Sequence, residues 1–174
     1  MQQTLLALAA ILVFSFYALG RHRTDNDVDR RAISVEVELA ATDAAQAQMA
    51  VLESLAFDED DVGRTGVRRT PPTSGLGPDS GELAPLAYDD IDDWHGRVDT
   101  VSVAVGVGAL RFVVATEVGF VDTLAPDTPS ALPTLAKETR VLVSEVADAP
   151  LDRAPVRIDL RRVVTPASVA ASAR

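Results

Sequence analysis

The sequence contains no cysteine, few aromatic residues and a single lysine, Lys137. Without cysteine the chain has no disulfide framework, no thiol nucleophile and no cysteine-ligated zinc site. Aromatic residues make up only 5% of the chain, and its 47% of hydrophobic residues are mainly Ala, Val and Leu. We therefore expect a core of small aliphatic side chains, which suits a thin sheet on a helix.

Positive charge is also scarce. The net charge is -10 and the pI is about 4.5, so the chain repels phosphate backbones and offers no basic stripe for nucleic acid. Its 174 residues hold one modest domain with appendages, which excludes two catalytic domains. The glycines of Val105–Gly108 lack the further glycine and the helix of a dinucleotide site, so a hairpin turn is expected there. No cofactor and no small-molecule substrate is indicated.

The strongest signal is an uncharged apolar run from Thr4 to Gly20, which ends abruptly at Arg21-His22-Arg23. As a helix it is about 25 Å long, slightly short of the roughly 30 Å hydrocarbon layer, a mismatch that a bilayer absorbs by thinning. The sequence therefore predicts a transmembrane anchor over residues 1–23. The side chains expected in the membrane are Leu5, Leu6, Leu8, Ile11, Leu12, Val13, Phe14, Phe16 and Leu19.

A cleaved secretory signal is the main alternative for this run, because Ala18 and Gly20 fit a small-residue cleavage pattern. The absence of a basic residue in Met1–Gln3 favours an uncleaved anchor. Orientation stays open at this stage. The arginines that follow the run favour a cytoplasmic C-terminal part, but aspartates are interleaved with them.

Residues 24–62 predict an amphipathic extension of the same helix, which we expect to run from about Thr4 to Phe57. Two apolar stripes at helical spacing should pack on the rest of the domain. The first is Val28, Ala32, Val35 and Leu39; the second is Ala41, Ala45, Met49, Leu52 and Ala56. A short strand over Ile33–Leu39 is the competing interpretation, because apolar and polar residues alternate there.

Glycine and proline crowd residues 63–87, which predicts a loop, and residues 88–174 predict an antiparallel β domain. Alternating apolar residues indicate four strands, with Gly106–Gly108 turning the first pair into a hairpin. The predicted strands are Val98–Val107, Leu110–Val121, Thr139–Val146 and Val156–Val164.

Four aspartates stand close together just before the first strand, at Asp89, Asp90, Asp92 and Asp93. Their hard oxygens suit Ca²⁺, but the spacing is not that of an EF-hand, and a solvated or turn-capping acidic loop is the preferred interpretation. The run Asp58–Asp61 is likewise interpreted as a solvated helix end. His95 lies beside the aspartates without a Ser or Cys nucleophile pattern, so we do not expect an enzyme. Trp94 is expected to pack at the junction of helix and sheet.

Two segments resemble type IV pilin-like proteins. Ala47–Glu59 (AQMAVLESLAFDE) is similar to the helix end of such proteins, and Tyr88–Gly96 (YDDIDDWHG) is similar to a segment of minor prepilin-like proteins related to the mannose-sensitive haemagglutinin pilus. The later stretches KETRVLVSEV and PVRIDLRRVVT follow in the order found in that group. The first residues, Met1–Leu5, depart from the family, because they carry neither its basic leader nor its glutamate.

The resemblance implies an α+β fold with a long N-terminal helix, half membrane anchor and half amphipathic, packed on an antiparallel sheet of about four strands. It implies a membrane-anchored structural or accessory subunit of a type IV pilus-like or secretion filament. Its expected partners are the membrane and other pilin-like subunits, contacted through the N-terminal helix. The expected location is the inner membrane or cell envelope, with the C-terminal domain outside the cytoplasm. The alternative is a secreted or periplasmic β-rich binding module with a cleaved signal.

Overall fold

A computed structural model describes residues 2–63, 68–72, 75–105, 108–146 and 154–166. One helix, α1 (Gln2–Ser54), is followed by four strands, β1 (Arg97–Val105), β2 (Gly108–Phe120), β3 (Lys137–Glu145) and β4 (Arg157–Val164). Short 3-10 turns occupy Glu59–Asp61 and Asp92–Trp94. This is the α+β class that the sequence predicts.

Helix α1 continues without interruption for 53 residues, because the stretch contains no proline and its one glycine, Gly20, does not break it. The predicted helix is confirmed, although it ends at Ser54 and not at Phe57. The alternative of a strand over Ile33–Leu39 is wrong, since these residues are helical. Length and helix propensity therefore outweigh a local alternation of apolar and polar residues.

The chain divides into two compact units, Met1–Val37 and Glu38–Arg174. In the first unit the described apolar side chains of the predicted anchor are all exposed, from Leu6 (68%) to Phe16 (73%) and Leu19 (52%). The side chain of Leu5 lies outside the described part of the chain. The helix is thus long and apolar enough to cross a membrane.

In the second unit, the C-terminal part of α1 packs on the sheet through small residues. Its buried face comprises Ala40, Ala41, Ala45, Met49 and Leu52. The Thr139 hydroxyl of β3 lies 3.4 Å from the sulfur of Met49, so helix and sheet are in direct contact. Alanine permits this close approach because it has almost no side chain to separate the two layers.

Only the second of the two predicted helical stripes is covered. Val28, Val35 and Leu39 are 59%, 64% and 59% exposed, so the expectation that the first stripe packs on its own domain is wrong. Residues of the second stripe, Ala41 to Leu52, are buried. The apolar pattern on α1 therefore extends beyond the surface that the sheet covers.

The sheet is fully antiparallel, in the order β1-β2-β3-β4. All four predicted strands are confirmed, with their ends shifted by at most two residues. Residues 106 and 107 of the predicted hairpin turn lie outside the described residues, but Val105 pairs with Gly108 on either side of them. Parts of the predicted loop 63–87 and of the β3–β4 connection also lie outside the described residues.

Alternation along β3 decides which residues face the core. Every second residue of this strand is buried, and the set comprises Lys137, Thr139, Val141, Val143 and Glu145. Period-two geometry thus places a lysine on the same face as two valines. Burying an ionised group costs free energy of folding unless the group is paired with an opposite charge, so Lys137 needs a buried partner.

Candidate functional site: a buried lysine among aspartates

The backbone brings two distant segments together beside the end of α1. The N–H of Ala56 donates to the carbonyl of Asp89 at 3.2 Å, and the N–H of Ile91 donates to the carbonyl of Ala56 at 3.0 Å. This short parallel bridge places Asp58 beside the segment that contains the aspartate group. Ile91 is fully buried against Val118, which holds the segment on the sheet.

Two of the four aspartates fold the loop in which they lie. Asp90 Oδ1 accepts hydrogen bonds from the N–H groups of Asp92 and Asp93, at 2.7 and 3.1 Å. Asp93 Oδ2 accepts from the N–H groups of Asp89 and Asp90, at 3.1 and 3.4 Å. Asp90 thus satisfies backbone donors of the 3-10 turn, and Asp93 satisfies donors of the residues just before it, as capping aspartates do. Gly96, with a φ of +75°, then turns the chain into β1.

Lys137 is completely buried, and its ammonium lies between two carboxylates. Nζ is 2.6 Å from Asp92 Oδ1 and 3.8 Å from Asp58 Oδ1, and it also donates to the carbonyl of Phe57. The rings of Phe57 and Phe120 lie close by, with centroids 4.3 and 5.4 Å from Nζ. Aromatic faces attract a cation, so the surroundings combine low polarity with a place for one positive charge.

Asp58 is shared between two cations. Its Oδ2 lies 2.8 Å from Nη2 of Arg68, whose guanidinium also contacts Asp61 at 2.8 Å and Asp60 at 3.2 Å. Asp58 is 1% exposed, so the expectation of a solvated helix end is wrong for this residue. Arg68 thus contacts Oδ2 of Asp58, and Oδ1 of the same carboxylate faces Lys137.

Asp92 is the least satisfied member of the cluster. Its side chain is buried, and its Oδ2 has no hydrogen-bond partner among the residues that the structure describes. Burial raises the pKa of Asp92 to about 7, against the lowering effect of the Lys137 charge. The Asp92 carboxyl therefore changes its protonation near neutral pH, and its neutral form is accessible.

An aromatic and cationic rim borders the turn. The rings of Tyr88 and Trp94 meet edge to face with centroids 5.4 Å apart, and the guanidinium of Arg97 lies 5.6 Å from each ring centroid. Asp99 holds Arg97 through two hydrogen bonds. Trp94 is 8% exposed, so its ring is packed and not solvated, whereas its expected position at the junction of helix and sheet stays a prediction.

The four aspartates of the predicted Ca²⁺ site do not converge on one point. Asp90 and Asp92 join Asp58 in a buried group, whereas Asp89 joins Glu59 and Glu82 in a more exposed group. In the buried group the Lys137 ammonium already lies beside the carboxylates. Calcium binding was the less favoured interpretation of these aspartates and stays untested, and the geometry favours a lysine as the resident cation. His95 stands apart from this group, where its Nδ1 accepts from the N–H of Val118 at 3.3 Å.

Three members of this cluster, Asp58, Arg68 and Lys137, were not singled out by the sequence as site residues. A signal was nevertheless present for Lys137. It is the only lysine, and it lies two residues from Thr139 on the apolar side of an alternating strand. The alternation along the strand therefore predicts that Lys137 is buried. The neighbouring sequence does not indicate which carboxylates would contact it.

Asp90 should make the free energy of unfolding depend on pH. Burial raises the pKa of Asp90 to about 6, although two backbone donors stabilise its ionised form. The charged groups facing it are Asp58, Asp92, Asp93 and Lys137. Between the unfolded value of about 4 and this raised value, the folded chain holds a proton that the unfolded chain has released. The contribution of Asp90 to the free energy of unfolding therefore falls as the pH rises through this window.

Asp90→Asn should accordingly be more stable than the wild type by about 1 to 2 kcal/mol at about pH 8, and equally stable at about pH 4. Asparagine keeps the Oδ1 acceptor of the turn but carries no charge. Urea unfolding of the full chain in detergent micelles measures the difference. Asp159→Asn is the matched control and should gain no stability, because Arg140 lowers the pKa of Asp159. Equal stabilities of Asp90→Asn and wild type at about pH 8 would contradict the prediction.

Comparison with known proteins finds no matching family model, no matching curated protein and no matching solved structure. The fold itself, a long N-terminal helix with a four-stranded antiparallel sheet, is consistent with a pilin-like fold.

Proposed function

We propose that the protein is a membrane-anchored structural or accessory subunit of a type IV pilus-like or secretion filament, of the minor pilin-like kind that the sequence resembles. The observation that carries this proposal is helix α1, which is apolar and exposed in its first part and buried under a sheet in its last part. One helix thus has a first part suited to a membrane and a last part packed against the sheet.

The first part of α1 has the properties of a membrane anchor. Its large apolar side chains are each more than half exposed, and no described residue covers them. Hydrocarbon is the solvent that such a surface requires, because a helix satisfies its own backbone hydrogen bonds and needs only apolar surroundings for its side chains. The length of the uncharged run, about 25 Å, fits this role.

Helix contacts between subunits are supported by the apolar residues beyond the anchor. Val28, Val35 and Leu39 remain 59% to 64% exposed although they lie past the charged residues that end the predicted membrane segment. Apolar side chains at helical spacing on an uncovered face suit packing against neighbouring helices. In a filament, the same helix would hold the subunit in the membrane before assembly and contact other subunits afterwards.

For the C-terminal domain we propose a structural role, outside the cytoplasm as the resemblance implies. Its buried polar groups form ion pairs and turn caps, and its sheet is covered on one face by the end of α1. The resemblance of Ala47–Glu59 and Tyr88–Gly96 to pilin-like segments supports the same role. These two segments contact each other in the fold, through Ala56, Asp89 and Ile91.

The test of this function is made in the cells that naturally produce the protein. We expect the chain, with residues 4–20 retained, in the membrane and in filaments sheared from the cell surface. Val35→Glu should lower its amount in sheared filaments several-fold without changing its folding, because a charge would interrupt an apolar helix contact. Glu38→Gln, close by on the same helix, is the control and should leave incorporation unchanged.

Two results would contradict the proposal. Wild-type filament number in a deletion strain, together with absence of the chain from sheared filaments, would exclude a filament subunit. A mature protein that begins at Arg21 and is recovered as a soluble secreted chain would instead favour the β-rich binding module with a cleaved signal.

A further inference from the structure

We propose that Lys137 and Asp92 condense to an intramolecular isopeptide bond between Nζ and Cγ, with Asp58 as the proton acceptor. This is a modification site, and it is independent of the filament role proposed above. Its basis is the placement of a primary amine against a carboxyl group in a buried, partly aromatic chamber, with a second carboxylate facing the same nitrogen.

The reacting atoms are already close. Nζ lies 2.6 Å from Asp92 Oδ1, and since Oδ1 is one bond from Cγ, the nitrogen lies within about 4 Å of the carbon that it attacks. Lys137 is held on β3, and Asp92 is held in a turn that Asp90 and Asp93 cap. Both side chains are 3% exposed or less. Fixed neighbours at this separation gain much of the advantage of an intramolecular reaction.

The surroundings favour the neutral forms that condensation needs. A buried ion pair loses the hydration of both charges, and here one oxygen of Asp92 has no partner among the described residues. The rings of Phe57 and Phe120 keep the polarity around Nζ low. Transfer of one proton from the Lys137 ammonium to Asp92 gives an amine beside a carboxylic acid without changing the net charge.

The covalent step then balances without any further reagent. The amine attacks Cγ of the protonated Asp92, and the Nζ–Cγ bond forms. Asp58, whose Oδ1 is 3.8 Å from Nζ, takes the proton from the nitrogen and returns it to the departing hydroxyl group, which leaves as water. One amine and one carboxylic acid become one amide and one water. Nothing is oxidised or reduced, and two buried charges disappear.

The other ion pairs among the described residues lack this combination. Arg140 meets Asp159 at 2.6 Å, and Arg161 meets Glu138, but a guanidinium is always protonated and these pairs are largely exposed. Lys137 is the only lysine in the sequence, so it carries the one side-chain amine of the protein. The bond would join the beginning of β3 to the turn before β1, and the β1–β2 hairpin would lie within the closed loop.

The single lysine makes the test unusually direct. The intact mass of the purified full chain should be lower than that of its sequence by one water molecule. After denaturation, a protease specific for lysine should fail to cut the chain at Lys137. Trypsin should release residues 70–97 and 112–140 as one branched peptide, which fragmentation would locate to Asp92 and Lys137.

Variants assign the roles of the three residues. Lys137→Arg should have its full sequence mass, because it has no amine to condense. Asp92→Asn should lose ammonia and not water, since the amide nitrogen is then the leaving group. Asp58→Asn should condense several-fold more slowly in a time course after synthesis. Arg140→Lys is the matched control, because it places a new amine near Asp159 in an exposed pair and should add no further mass loss.

Two results would overturn the proposal. The first is wild-type protein at its full sequence mass that the lysine-specific protease cuts completely at Lys137 after denaturation. The second is a water loss that the branched peptide does not assign to Asp92 and Lys137. An Asp58→Asn chain that condenses as fast as the wild type would refute the role of Asp58.

Discussion

Replacing Lys137 with methionine should lower the free energy of unfolding by about 3 to 5 kcal/mol, the usual cost of removing one partner of a buried ion pair. Methionine fills a similar volume, so the loss would come mainly from charge and not from a cavity. Asp92 and Asp58 would remain buried without the ammonium that lies 2.6 and 3.8 Å from them. Loss of an isopeptide bond would add to this effect and not oppose it.

Chemical denaturation of the full chain in detergent micelles measures this loss. Arg140→Met is the matched control, since it removes a cation of the exposed pair with Asp159 and should lower the free energy of unfolding far less than Lys137→Met does. Combining Lys137→Met with Asp92→Asn should recover part of the stability, because one buried charge is then removed with its partner. A Lys137→Met chain that loses no more stability than Arg140→Met would show that the buried lysine has no structural role.

Removing residues 1–23 should move the protein from the membrane fraction to the soluble fraction almost completely. The described apolar side chains lost with this segment are each more than half exposed in the folded chain. Burying a large apolar side chain stabilises by about 1.5 to 3 kcal/mol, so the set contributes more than about 10 kcal/mol to membrane binding. A free energy of this size is large enough to keep nearly all of the full chain in the membrane fraction.

Fractionation with a high-salt wash measures this distribution. The full chain should remain with the membrane, because salt screens charges but does not weaken apolar burial. A variant with Arg21→Gln and Arg23→Gln is the control and should stay in the membrane as well. Recovery of the uncleaved full chain in the soluble fraction would contradict the anchor.

The two apolar stripes on α1 show what helical periodicity can and cannot predict. Helical spacing correctly predicts the burial of Ala41, Ala45, Met49 and Leu52, but it also predicts the same for Val28 and Val35, which are exposed. Periodicity states that a face is apolar and not what covers it. Only the position of the sheet decided that Ala41, Ala45, Met49 and Leu52 are buried within the chain.

The aspartate group shows the complementary limit. Its capacity to cap a turn was visible from local spacing, since Asp90 and Asp93 act on backbone donors two to four residues away. The ions that surround the group could not be predicted from the local sequence. The cation, Lys137, comes from β3, and the further carboxylate, Asp58, comes from beyond the end of α1. Residues that interact within one turn leave a local pattern, whereas partners distant in the chain do not.

The sequence by itself determined the long helix, its exposed apolar beginning and the four strands, because helix propensity, apolar run length and alternation act over a few residues at a time. Only the tertiary structure decided that Lys137, Asp58 and Asp92 meet in one buried cluster. The physical reason is that the bridge between Ala56 and Asp90 and the antiparallel register of β2 with β3 together set those distances. Both depend on contacts between segments that are far apart along the chain.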